Sequence, residues 1–487
     1  MSIDGKNLIC FAFAIGLLFG DAAFAQTAGG GRADPEPTRA DTRVRRSTKP
    51  VVRRTPPKRV VPAARTAESY QAEGDKFYDS GDHDSALAAY EAAVKIKPLL
   101  KSLYRIGWIY NEFEEYQKAL LALDRAAAIG PNESAIFLEI GYAHRRLKQN
   151  DKAAAALKRS LALNPNSAIA NYELGSLYND LGQYRDAIPL LNASIANRTD
   201  HSDTYEELGF AQRKLGMNNE AIASYRRAIQ LDPQNTGALM GLGDAYFYGT
   251  KQNREAIAAY VEGLRLSPAN YIAAHNVAYA YNEIGNYNEA IKWAAEALKH
   301  KRDYYQAHAE TGYAYLKLGQ GDNAIAAYRR ALQIKPDHAA SHFGIGDVYF
   351  ESLKDYPMAL ANYTRGLQYN PENQGALYRS GWCYNNQQRY QEAITTLTKL
   401  LEINSQPAHY HREIAYSYWK SGRTAEAMTT LNRAIQLNRD EGVSYYYLGL
   451  IYVEQRNRDA ATRMHRELVR LNSPNAQALL EQINRLR

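Results

Sequence analysis

Residues 309–336 read AETGYAYLKLGQGDNAIAAYRRALQIKP. Gly312 is followed three residues later by Tyr315, twelve later by Ala324 and sixteen later by Tyr328, and the stretch closes on Pro336. Small and apolar residues at this spacing predict a pair of helices. The two cross where Gly312 and Ala324 leave no room for a large side chain. A proline at the end stops the second helix.

The same pattern recurs about every 34 residues from Ala67 to Asn475. The small residue runs from Gly74 through Gly107, Gly141 and onward to Gly449, with alanine at Ala278 and Ala415. Its partner is alanine in all twelve units, from Ala86 to Ala461, twelve positions on in ten of them and thirteen in units six and nine. Thr199, Arg302 and Ser405 replace the closing proline in units four, seven and ten, which predicts looser turns there.

This spacing resembles the tetratricopeptide repeat. The resemblance covers residues 67–475. It implies an all-α solenoid of about 12 helix-pair repeats wound into a right-handed superhelix, with residues 476–487 as a solvating cap helix. It also implies a scaffold that binds proteins on the concave side of its first helices.

A longer period lies over the short one. With the small residue numbered eight, Asn179, Asn282 and Asn385 stand at position twelve, 103 residues apart. Glu207, Glu310 and Glu413 follow the same step, as do Lys214, Lys317 and Lys420. Asp244 and Asp347 are also 103 apart, and each of their units carries one extra residue before its alanine. Three repeats are copied as a block, at 168–270, 271–373 and 374–475. The third copy lacks the insertion and has Leu450 in place of the aspartate.

At about 100° per residue, positions 4, 7, 8 and 11 form the packing stripe, while positions 2, 5, 9, 12 and 13 point the other way. The resemblance places this second face in the concave groove. Position nine carries Trp108, Tyr142, Phe210, Tyr279, Tyr313, Trp382 and Tyr416. Position five adds Tyr104, Tyr172, Tyr378 and Tyr446, and position twelve adds Phe247, Phe350 and Trp419. Asn111, Asn179, Asn282, Asn385, Lys214, Lys317, Lys420, Asp244 and Asp347 intersperse them. The tyrosines at positions 11, 17 and 24 read as packing residues. Two ligands suit such a groove: an extended peptide with its backbone on the asparagine amides, or a polysaccharide stacked on the rings. A structural array that oligomerises by its convex face is the third reading.

The chain has 59 Lys and Arg against 52 Asp and Glu. Residues 26–66 hold 11 of the bases and 3 of the acids, which leaves residues 67–487 with 47 of each. The electrostatic footprint of a nucleic-acid-binding body is missing. Residues 1–25 read as a signal peptide, with Lys6, an apolar run over 8–20 and small residues at Ala23 and Ala25, so cleavage is expected after Ala25. The alternative is an uncleaved membrane anchor. Both readings predict export, and the first a periplasmic protein. Residues 26–66, rich in arginine and proline, read as a disordered basic linker able to touch an anionic membrane surface.

Catalytic signatures are lacking. There is no P-loop, GxSxG, HExxH or CxxC pair, and the repeats leave no segment long enough for a catalytic domain. His338 and His342 have the i,i+4 spacing of metal ligands but no third partner, and His409 and His411 read as surface residues. Cys383 reads as a structural thiol. No enzyme, metal or cofactor is implied.

Overall fold

The computed structural model describes residues 65–486. The expected signal peptide and nearly all of the basic linker lie outside them. Among the described residues there are 25 helices and no strand. Two compact bodies divide them, residues 65–268 and residues 269–486. The first holds units one to six. The second holds units seven to twelve and a last helix, Asn475–Asn484.

Within each body a unit is two antiparallel helices, for example Tyr305–Lys317 followed by Gly321–Ile334. The repeat's small positions are explained by what presses on them. All twelve partner alanines, Ala86 to Ala461, have no exposed surface. The glycines meet the residue sixteen positions later, or seventeen in units six and nine. A Cβ on Gly312 would lie 2.8 Å from the Tyr328 ring, and one on Gly107 would lie 2.4 Å from Leu123. Unit seven compensates in reverse, because Ala278 occurs where the later residue has shrunk to Ala294, and both are fully buried. In unit twelve the later residue is His465, and Leu479 of the last helix takes its place, 2.4 Å from where a Cβ on Gly449 would stand. That helix also buries Ile483.

The two inserted residues are absorbed in one way. Thr236–Asp244 runs into a π-helical turn over Ala245–Thr250, and Ala339–Asp347 runs into another over Val348–Leu353. A π-turn adds one residue without breaking the helix. Lys251 and Lys354 then reverse the chain in the left-handed region, at φ 59° and 56°.

The looser turns expected at Thr199, Arg302 and Ser405 are not found. The second helices of those units end at Asn197, His300 and Ile403, the same register as Leu163 and Leu231 in units that have the proline. A polar side chain at position four stitches several of these loops. His308, His342 and His411 approach the carbonyls of Arg302, Pro336 and Ser405 at 3.3, 3.0 and 2.9 Å.

Candidate ligand-binding face

The first helices carry the face, and the structure sorts its predicted residues into two classes. Trp108, Tyr142, Phe210, Tyr279, Tyr313 and Tyr416 at position nine are half-buried, as are Tyr104 and Tyr378 at position five. Tyr172, Tyr446, Phe247, Phe350, Trp382 and Trp419 are buried.

The buried rings hold the stack together. Trp382 packs edge-on against Phe350 and Tyr356, with centroids 4.9 and 4.7 Å away. Phe247 packs against Tyr260 at 6.4 Å. Tyr172 meets His201, the residue capping the next unit's first helix, at 5.2 Å. Trp419 donates its indole N–H to Glu454 at 2.7 Å, beneath the Lys420 ammonium 3.6 Å from its ring.

The asparagine column is a correction. Its amides do not face a ligand backbone, because each donates to a glutamate 28 residues on, in the next repeat. Asn111 reaches Glu139 at 2.9 Å, Asn179 reaches Glu207 at 2.7 Å, Asn282 reaches Glu310 at 2.8 Å and Asn385 reaches Glu413 at 2.7 Å. The same nitrogens also donate to those glutamates' backbone carbonyls. All four asparagines are buried. Burial pushes the Glu310 carboxyl up to about 7, with the Asn282 amide pulling it back. Glu413 is also raised by burial, against Arg412 and Asn385. The 103-residue recurrence of Asn and Glu is therefore a clasp between repeats.

The aspartates are likewise spoken for. Asp244 accepts from the Tyr260 hydroxyl at 2.7 Å and lies 3.5 Å from Arg213. Asp347 accepts from Tyr363 at 2.7 Å and pairs with Arg379, which also holds Glu351 at 2.7 Å. Each tyrosine belongs to the second helix of the aspartate's own unit, so the pair ties the two helices.

The lysines are different. Lys214 and Lys420 are exposed, and Lys317 is half-buried. Each ammonium lies one helical turn from the position-nine ring: 5.3 Å from Phe210, 5.5 Å from Tyr313 and 5.8 Å from Tyr416. A second ring meets each of these edge-on from the preceding unit. Tyr184 lies 5.9 Å from Phe210, Tyr287 6.4 Å from Tyr313 and Tyr390 6.5 Å from Tyr416. These position-17 tyrosines were read from sequence as packing residues only. They are half-buried, and their 103-residue spacing was the available signal.

Other chemistry is occupied or sealed. His338 meets the Ser341 hydroxyl at 2.8 Å, and burial lowers its pKa to about 4. His409 is exposed, as the sequence reading has it. Cys383 is buried, which pushes its thiol up to about 12. Among the described residues no three His, Cys, Asp or Glu side chains form a group that could hold a metal ion.

Family models agree with the helix pairs. Tetratricopeptide-repeat models match residues 72–134, 138–202, 211–249, 247–307, 312–352, 352–414 and 409–441. The chain belongs to the tetratricopeptide-repeat family. Among solved structures the chain is similar to the MamA protein, at 28% identity over 36% of this chain and 94% of that one, with a TM-score of 0.34. It is similar to YrrB, described as a TPR protein with an unusual peptide-binding site, at 19% identity over 38% and 95% with a TM-score of 0.36. Yeast Tom70 matches at 14% identity over 86% and 99%, with a TM-score of 0.37. No curated protein matches. In this tetratricopeptide-repeat chain the position-eight, -twenty and -twenty-four residues build the helix pair, which leaves the half-buried first-helix rings as the candidate site.

Proposed function

We propose that the chain is a non-enzymatic scaffold of the bacterial cell envelope that holds an extended segment of a partner protein against its first helices. The observation that carries this reading is the set of half-buried rings at position nine, Trp108, Tyr142, Phe210, Tyr279, Tyr313 and Tyr416. Rigid aromatic rings offer contact area at low entropic cost, and their tyrosine hydroxyls add hydrogen bonding. Export rests on residues 1–25, with cleavage after Ala25, and the arginine-rich linker then carries the repeats at a distance from an anionic surface. The peptide backbone is met by tyrosine hydroxyls and not by the asparagine amides, which are used between repeats.

A photoreactive amino acid at Tyr313, compared with one at exposed Arg330 on the second helix, tests this in cells. Cross-linking of one partner protein at 313 and not at 330 supports the scaffold. Polysaccharide recovered at 313 instead moves the function to polymer export. Cross-links to a second copy through 330 alone leave an oligomerising array. Amino-terminal sequencing of the secreted form tests cleavage after Ala25.

A further inference from the structure

The first helix of the array has a side that no repeat covers among the described residues. In unit two, Ser102 donates to Gln71 of unit one at 3.0 Å, and Ile106 and Ile109 pack with its Ala86 and Tyr90. Positions three, seven and ten of a first helix therefore face the repeat before it. Positions three and ten are buried in all eleven later units, ending with Ser444 and Ile451. In unit one they are Ser69 and Lys76, both exposed, and position seven is Glu73. The stripe is polar, as the outer side of a terminal repeat has to be. Helical geometry sets it about 160° from the ring-bearing positions five, nine and twelve.

The chain enters along this stripe. Thr66 caps the helix Ala67–Asp79 in the extended region, at φ −76° and ψ 161°. The Arg65 guanidinium reaches Glu73 at 2.5 Å and lies 5.7 Å from the Tyr70 ring. That side chain points along the helix toward its far end. Charge runs in the same direction. Residues 67–84 hold six acids against Lys76 alone. Two of the acids are matched by neighbouring helices, Glu68 by Lys97 at 3.3 Å and Asp75 by Lys101 at 2.7 Å. Lys95 and Lys97 end the second helix, at the near end, and Arg105 of unit two rests on the Tyr78 ring at 3.9 Å. Asp79, Asp82 and Asp84, at the far end, have no ion pair among the described residues. Residues 43–59 hold eight Lys and Arg and no acid.

We infer that residues 43–64 fold back over the outer stripe of the first helix and cap the array, with the bases of 43–59 set against Asp79, Asp82 and Asp84. Reach permits it. The 13 residues of the helix rise about 20 Å, and the six residues from Arg59 to Arg65 span about 20 Å when extended. Opposite charges on one chain meet at high effective concentration, so exposed pairs that are each weak act together. A docked linker has its arginines turned to its own first unit and cannot offer them to an anionic surface. The inference stands apart from whatever the first-helix rings hold.

The test uses the full chain with a photoreactive amino acid at Thr55, which leaves every charge in place. Unlabelled and isotope-labelled chains are mixed, irradiated and mapped by mass spectrometry. Cross-links are expected within one chain, to residues 67–84, and their yield should fall at least about fivefold between about 20 mM and about 0.5 M salt. Asp79→Asn with Asp84→Asn, and separately Glu73→Gln, should each lower the low-salt yield by about threefold or more, with helix content unchanged by circular dichroism. Asp82 is left in place because its carboxylate caps the second helix, accepting from the Ser85 N–H at 3.1 Å. Cross-links that join labelled to unlabelled chains give the stripe to a second copy and overturn the cap. Cross-links that are absent or spread over later units overturn it too, as does a yield indifferent to salt and to both variants.

Discussion

Asn282 donates its side-chain amide to Glu310 at 2.8 Å, from the end of one repeat's first helix to the first helix of the next. Repeat arrays draw stability from such neighbour interfaces. Asn282→Ala leaves a half-buried carboxyl short of its donor, which costs about 1 kcal/mol. The expected result is a lower urea midpoint by circular dichroism, with amide exchange accelerated over Tyr305–Lys317. An unchanged midpoint contradicts the clasp.

One copy of the clasp is more complete than the others. The Ser417 hydroxyl donates to Asn385 Oδ1 at 2.7 Å. Ala143, Ala211 and Ala314 stand in its place in the other copies, and Oδ1 of Asn111, Asn179 and Asn282 is buried without a partner. Ala314→Ser should therefore raise the midpoint by the equivalent of about 0.5–1.5 kcal/mol, and Ser417→Ala should lower it by a similar amount. A destabilising Ala314→Ser is the opposing result.

Glu310 gives a pH dependence of definite sign. Its folded pKa is raised by burial from the ordinary 4.5 to about 7, so its stabilising contribution is present below 4.5 and lost as pH rises through 7. Glu310→Gln copies the protonated form and keeps an acceptor for Asn282. The variant should gain stability over the parent at pH 8 and little or none at pH 4. Equal gains at both values contradict the assignment.

The histidines work in the other direction. Burial lowers His275 and His338 from 6.5 to about 4, so their contribution is present above 6.5 and lost as pH falls through 4. Replacing both with Gln should flatten the acid limb of the stability curve between pH 6.5 and 4. A limb of unchanged slope means other groups set it.

The fold was legible because its signal is steric. Under a Tyr328 or Leu123 side chain there is room only for a small residue, so glycine or alanine survives there in every unit. The face was less legible. Helical geometry put Trp382, Trp419, Phe247 and Phe350 on one side of the first helix, but position alone does not say how closely neighbouring side chains cover that side. Asn179, Asn282 and Asn385 repeat with the regularity of a ligand ladder, yet the glutamates repeating beside them are their partners. Pairing Asn with Glu 28 residues on would have revealed this from sequence. The extra residue of units six and nine was visible, but its conversion into a π-turn depends on packing around Phe247 and Phe350.

The burial of Trp382 and Trp419, 7% and 8% exposed, also decides which variants test binding. Truncating either removes core packing and costs about 3–5 kcal/mol, so lost binding would say little about contact. Tyr313→Ala with Tyr416→Ala removes half-buried rings instead. The most direct measurement is the affinity of this double variant for the partner cross-linked at 313, with circular dichroism of the same samples. The account predicts at least a tenfold loss of affinity at unchanged helix content. Undiminished affinity would contradict binding at the first-helix rings.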